Sequence, residues 1–231
     1  MGTAGNEKGE FMKGIVTIDP DTLKKFYHIG ENYDHNISYI YNSKLVRHLV
    51  WSRYKKMIDI IPADKSHNRV MDLGCGEGTF LPTLDQYFNE AYGLDINTKV
   101  AEEIVRYFDL KNIQLMEKDI LANGLNDNSF DIIFAASSLE HFKDQKKLLQ
   151  ELNRLLKKGG LLVFSSPTES LFYELGRKVF GYVKPSDHYF SVFEIADYAS
   201  QLFELVSYEN GPFKMLPGMF SVYVVYVFKK Q

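Results

Sequence analysis

Residues 69–80 read RVMDLGCGEGTF, and this stretch decides the fold. An apolar run carries one acid, Asp72, and then breaks into glycines at alternate positions, Gly74, Gly76 and Gly78. Glycine admits positive φ and lacks the Cβ that would hold a neighbour away. This spacing therefore predicts a backbone passing very close to a ligand or to another strand. A helix is expected to start near Thr79. Strand, glycine turn and helix in that order are a ligand site at the carboxyl end of an α/β sheet. The helix start adds free N–H groups and a partial positive charge.

The pattern continues on both sides of the loop. Short apolar runs, EAYGLDI, IQLMEKD, FDIIFAAS and GLLVFSSP, alternate with helical segments such as TKVAEEIVRYF and QKKLLQELNRLLKKGG. That alternation predicts βαβ units and a parallel sheet. The lysines and Gly159 of KKGG read as the end of the second helix. Upstream, Asp19 and Pro20 open a short helix, and a longer one runs from about Ser43 to Ile61, stopped by Pro62. Downstream, ESLFYELGRKVFGYV and SVFEIADYASQLF read as helices, and FELVSYEN and FSVYVVYVFKK as a pair of antiparallel strands. The expected organisation is one domain: a flexible N-terminus over 1–14, a helical cap over 15–62, a cofactor-binding core over 69–166, a helical insert or lid over 167–200, and a strand pair over 201–231.

The loop itself discriminates among ligands. A dinucleotide fingerprint spaces its glycines G-x-G-x-x-G, and Thr79 stands where the third would be. A phosphate-binding P-loop needs Gly-Lys-Ser/Thr, and no lysine follows here. An acid inside the strand end suits a cationic cofactor better than a pyrophosphate. Asp95 ends the second run, where an acid accepts hydrogen bonds from ribose hydroxyls. Asp119 stands at the tip of the third. Successive strands thus offer an acid at each carboxyl end.

These motifs together resemble the class I S-adenosylmethionine-dependent methyltransferases, small-molecule type, from about Val70 to Pro167. DLGCGEG is similar to that family's acid-glycine loop, GLDIN to its ribose-binding strand end and KDIL to its adenine segment. SFDIIFAASSLEHF and LKKGGLLVFSSP resemble its fourth and fifth strands. The resemblance implies an α/β fold with a mostly parallel, seven-stranded, doubly wound Rossmann-like sheet, an antiparallel C-terminal strand and an N-terminal helical cap. It implies S-adenosyl-L-methionine as cofactor. Gly74, Cys75, Gly76 and Gly78 would form the cradle and Asp72 would sit near the methionine amino group. Asp95, followed by Ile96, would hold the ribose. Asp119 would accept from the adenine amine, with Ile120 packed on the ring. Ser137 would lie near the methionine moiety, and Tyr33 or Tyr27 of the cap would close over it. Cys75 is expected to be structural rather than nucleophilic.

Methyl transfer from a sulfonium mainly requires alignment and exclusion of water, with a general base only where the acceptor must lose a proton. His141, in SSLEHF, is the candidate catalytic base, and His141 and His188 are the candidate substrate contacts. No metal is expected. The Asn/Asp-Pro-Pro-Tyr/Phe stretch of nucleic-acid amino-methyltransferases is replaced here by AASSLEH, which favours a small-molecule acceptor. The insert LFYELGRKVFGYV suits a lid over an apolar acceptor, or a peripheral membrane contact. Two other functions stay open: a non-catalytic S-adenosylmethionine-binding regulatory partner, and a nicotinamide oxidoreductase, which the loop spacing disfavours.

Composition agrees. Lys+Arg number 27 against 30 Asp+Glu, which argues against a broad nucleic-acid surface. With a single cysteine, Cys75, an internal disulfide is impossible. That, with no apolar signal core and no long apolar span, makes a cytoplasmic location the expectation.

Overall fold

The computed structural model describes residues 9–12, 14–27, 43–61, 69–179, 187–212 and 220–231. The apolar runs become strands because each can bury both of its faces. Val70, Ile132 and Phe134 point into one core layer, while Met71, Leu73, Ile133 and Ala135 point into the other. A strand covered on both faces needs no polar alternation, so its sequence reads as a continuous apolar run.

The elements in chain order are β1 (Gly9–Met12), β2 (Ile15–Ile18), α1 (Pro20–Tyr27), α2 (Lys44–Asp59), β3 (Arg69–Leu73), α3 (Leu81–Tyr87), β4 (Glu90–Asp95), α4 (Lys99–Phe108) and β5 (Ile113–Glu117). A 3-10 turn follows at Ile120–Ala122, then β6 (Phe130–Ala136) and a second 3-10 turn at Leu139–His141. The chain continues as α5 (Gln145–Leu155), β7 (Leu156–Pro167), α6 (Leu171–Val179), α7 (Val192–Ala199), β8 (Glu204–Gly211) and β9 (Tyr223–Lys229). The seven-stranded sheet has the order β5-β4-β3-β6-β7-β9-β8. Strands β3 to β7 are parallel, and β9 runs antiparallel to both β7 and β8. The chain leaves β3 to build β4 and β5 on one side, then returns to place β6 on the other. The crevice at this reversal, outside the carboxyl ends of β3 and β6, is where such sheets bind ligands.

Layered helices seal the two faces. Trp51, Tyr54 and Met57 of α2 pack with Leu81 of α3 and Ile104 of α4 on one side. Leu148, Leu149, Leu152 and Leu155 of α5 pack with Val192 and Ile195 of α7 on the other. Each such side chain withdrawn from water contributes about 2 kcal/mol before entropy is counted. Caps match the sequence signals. Asp19 Oδ1 accepts from the N–H of Asp21 and Thr22. Ser191 and Glu194 form a reciprocal capping box on α7. No helix among the described residues is long and apolar enough to cross a membrane.

Three details differ from the expectations. Gly9–Met12 pairs with Ile15–Ile18 as a hairpin within a stretch read as flexible up to residue 14; the four residues GEFM carry no periodic signal of their own. The hairpin is held by the Val16 N–H donating to Thr83 Oγ1 (3.0 Å) and by Tyr87 O–H donating to the Gly14 carbonyl (2.6 Å). The helix after the glycine loop begins at Leu81 rather than Thr79, because the Thr79 hydroxyl is engaged by Tyr54 and caps nothing. KKGG does not end α5, which stops at Leu155; it forms the irregular start of β7. There Leu156 pairs with Phe130, Lys157 Nζ binds Asp131 (2.7 Å), and the Gly159 N–H donates to the Lys230 carbonyl (2.9 Å).

Candidate active site at the carboxyl edge of the sheet

The glycine loop is folded back on β4. The N–H groups of Gly74 and Cys75 both donate to the Leu94 carbonyl, at 2.7 and 3.2 Å. The glycines do different work. Gly74 has φ +69°, and a Cβ there would meet Ser138 Cβ at 2.4 Å, so this position needs glycine for packing of the protein itself. Gly76 has φ +49°, and a Cβ there would meet nothing within 4 Å among the described residues. Its open face leaves room for a close approach.

Asp95 ties the loop to the second strand. Its Oδ2 accepts from the Gly76 N–H (2.8 Å) and its Oδ1 from the Asn97 N–H (3.1 Å). Each oxygen keeps a further acceptor site. Asp72 is 2% exposed, and its Oδ1 is buried with no hydrogen-bond partner among the described residues. Burial, then the nearby Asp95 charge, pushes its carboxyl up to about 8, while Arg53 pulls it down. A buried carboxylate without a donor is costly, and a cationic group beside it relieves that cost.

Arg53 is the residue that sequence reading missed. It extends from α2, and its Nη1 donates to Ser137 Oγ across 84 positions of chain. Its Nε is buried without a hydrogen-bond partner among the described residues. Ser137 itself has φ +59°, a left-handed conformation unusual for serine, held by its N–H donating to the Ser165 carbonyl (2.7 Å). Tyr54, the next residue on α2, stacks on Phe80 with centroids 4.4 Å apart and shares a 2.9 Å hydrogen bond with Thr79 Oγ1. Burial pushes its phenol up, with Arg53 and the Thr79 bond opposing. Helix α2 thus locks onto the glycine loop. A lone arginine in an amphipathic helix carries no signal of this; only the fold brings it to Asp72.

Other expected residues separate. Ile96, beside Asp95, is 71% exposed. Ile120 is 1% exposed and belongs to the core layer with Leu94 and Met71, so it offers almost no surface to a ring. Asp119 caps the 3-10 turn, its Oδ1 accepting from the Leu121 N–H (2.8 Å). Cys75 is buried, and burial followed by Asp72 and Asp95 raises its thiol well above the ordinary value, which suits packing and not nucleophilic attack. Tyr33 and the side chain of Tyr27 lie outside the described residues.

On the other side of Ser137, the 3-10 turn Leu139–His141 meets the loop that leads into α7. Ser138 Oγ donates to the Leu73 carbonyl (2.7 Å), fastening the turn to β3. His141 Nδ1 lies 2.8 Å from Asp187 Oδ2, and His188 Nδ1 lies 3.0 Å from Glu169 Oε1. The two imidazoles meet edge to face with centroids 4.9 Å apart. Glu140 is fully buried and its Oε2 accepts from Ser166 Oγ (2.7 Å). The candidate substrate residues His141 and His188, expected separately, are therefore neighbours.

Known proteins carry the same architecture. The methyltransferase domain family model matches residues 71–164. A demethylmenaquinone methyltransferase of Staphylococcus carnosus is 30% identical over 172 residues, covering 70% of this chain and 68% of that protein. The chain belongs to the class I S-adenosylmethionine-dependent methyltransferases. The Staphylococcus saprophyticus demethylmenaquinone methyltransferase is 30% identical over 147 residues, and the chain spans only 61% of its length. Among solved structures, the N-methyltransferase NodS from Bradyrhizobium japonicum with S-adenosylhomocysteine has a TM-score of 0.64 at 15% identity, covering 90% of this chain and 97% of that one. The [4+2]-cyclase SpnF has a TM-score of 0.62 at 15% identity, covering 77% and 79%. Likeness at that level describes the fold, and the cyclase shows that the fold does not dictate one reaction.

The site fits the cofactor of this methyltransferase family. A methionine tail is a zwitterion, and a buried carboxyl with one unpartnered oxygen, Asp72, stands at the same crevice as the Arg53 guanidinium. The open face of Gly76 and the free acceptor sites of Asp95 lie next to it.

Proposed function

We propose that the protein transfers a methyl group from S-adenosylmethionine to an apolar small molecule, and that the acceptor enters over Ser137, His141 and His188. The observation that carries this reading is Asp72: a buried carboxyl with an unpartnered oxygen, at the foot of a glycine cradle whose middle residue is open. When bound, the cofactor supplies an electrophilic methyl group on a sulfonium. The chain's own work is binding and alignment. Asp72 receives the ammonium, and Arg53 the carboxylate, of the methionine end. Asp95 accepts from the ribose hydroxyls through the lone pairs that Gly76 and Asn97 leave free. The exposed face of Ile96 covers the adenine, with Asp119 at its rim. Ser137, strained and fixed by Arg53, lines the path between the methyl group and the acceptor.

Two observations support an apolar acceptor. Leu171 and Leu175, one turn apart on α6, are 90% and 61% exposed. The curated relatives are named for demethylmenaquinone, an apolar quinone. The test is transfer of radiolabelled methyl from S-adenosylmethionine into an extract of lipids and small molecules. The reading predicts label in one organic-soluble product, lost with Asp95→Ala. Cofactor binding without label in any fraction would leave a regulatory binder instead.

A further inference from the structure

Beyond the methyl donor, we propose that Glu140, His141 and His188 bind a divalent transition-metal ion. One potential ligand atom from each residue lies within 4.8 Å of the others. Around an ion with bonds of about 2.1 Å, donor atoms sit about 3–3.5 Å apart, so the widest spacing of 4.8 Å must contract by about 1.3–1.8 Å. Side-chain rotation of two histidines and a glutamate supplies that.

Three features separate this cluster from a pair of ordinary surface ion pairs. First, each imidazole is held from behind: Asp187 engages Nδ1 of His141 and Glu169 engages Nδ1 of His188. A carboxylate on Nδ1 fixes the tautomer that leaves the Nε2 lone pair free, and it is the usual support of a metal-bound histidine. Second, Glu140 is 0% exposed, yet its Oε1 has no hydrogen-bond partner among the described residues. Its other oxygen is already held by Ser166 Oγ. An ion at the cluster satisfies the orphan oxygen, which neither histidine pairing does. Third, the rings approach to 4.9 Å edge to face, although the histidines are 47 positions apart in the chain. Two nitrogens and one carboxylate oxygen suit zinc, cobalt, nickel, iron or manganese better than calcium or magnesium. Three protein ligands leave at least one position open for an exogenous oxygen.

The role of that open position rests on the methyl-transfer reading. The ion would acidify an acceptor hydroxyl at that position, so that the hydroxyl would release its proton to water and its oxygen would form the new bond to the methyl carbon, the C–S electron pair staying on sulfur. In this arrangement His141 is a ligand, not the general base expected from its place after the fourth strand.

The test uses the full chain after chelator treatment, titrated with cobalt(II) and zinc(II) by visible absorption and calorimetry. The expected result is one equivalent of metal per chain, with cobalt d–d bands of a low-symmetry nitrogen–oxygen site. His188→Ala should weaken binding ~100-fold and Asp187→Asn ~10-fold, while His48→Ala changes nothing. Glu140→Gln, which keeps an acceptor for Ser166, should also weaken it at unchanged melting temperature. S-adenosylhomocysteine is titrated in parallel. Cofactor binding without metal binding overturns the metal site and leaves the methyltransferase reading intact. Metal binding that survives His188→Ala overturns the ligand assignment. Metal binding without any cofactor binding upholds the ion and overturns its place beside a methyl donor.

Discussion

The two halves of the crevice are built in opposite ways. The proposed donor half comes mostly from one local stretch: Asp72 and Asp95 lie on neighbouring strands β3 and β4, joined by a single helix, and Gly74 and Gly76 lie on the loop that follows β3, with Arg53 added from α2. The acceptor half is assembled from distant pieces. His141 meets Asp187 across 46 positions, and His188 meets Glu169 across 19. A binding surface for an invariant cofactor can be encoded in a short motif, because its backbone does much of the binding. A surface for a particular acceptor depends on side chains that loops bring together, and loops vary freely on a constant sheet.

That contrast can be broken experimentally. Asp95→Ala removes both the ribose acceptor and the anchors of the Gly76 and Asn97 N–H groups. It should weaken S-adenosylhomocysteine binding at least ~100-fold by calorimetry, while cobalt binding at His141 and His188 persists. Loss of both would mean that the halves are one cooperative unit.

Gly74→Ala forces a Cβ to 2.4 Å from Ser138 at φ +69°. It should cost about 3 kcal/mol of stability in urea unfolding. Gly76→Ala, with open space around it, should cost about 1 kcal/mol and act mainly on cofactor affinity.

Asp72 gives the donor half a pH signature. Its folded value of about 8 lies above the ordinary 3.8, so the folded protein without cofactor holds a proton that the unfolded chain has lost in that window. Stability from this group is therefore lost as pH rises from 3.8 towards 8. Cofactor binding, which uses the carboxylate, should tighten over the same rise, by up to ~10-fold per pH unit. Asp72→Asn should flatten both slopes while weakening binding, measured by thermal melts and titrations in matched buffers.

Arg53→Ala should weaken cofactor binding about 10-fold, and Arg53→Lys should recover only part of it, since a point charge cannot replace a planar fork. The smallest effect is expected from Tyr54→Phe, which keeps the stack on Phe80 but removes the hydroxyl bond to Thr79. It should cost about 1 kcal/mol of stability with cofactor affinity nearly unchanged.

The same contrast explains what could be read from the sequence. The βαβ rhythm, the strand ends at Asp72 and Asp95, and the C-terminal strand pair were legible because periodicity and glycine spacing are local signals. The fate of KKGG was not, because pairing of Leu156 with Phe130 outweighed a good helix-ending pattern. Ile120 was placed on the ligand by its position after Asp119, yet its side chain turns into the core. Arg53 and the company of His141 with His188 were invisible for one reason: no spacing rule connects residues that meet only when the sheet is complete.

The central claim is that the loop at Gly74–Gly78 cradles a methionine tail and not a pyrophosphate. Calorimetric titration of the full chain with S-adenosylhomocysteine and, separately, with NAD at about pH 8 tests it most directly. The account predicts one-to-one S-adenosylhomocysteine binding that Asp95→Ala abolishes, and no heat from NAD. Tight NAD binding with no response to S-adenosylhomocysteine would contradict it.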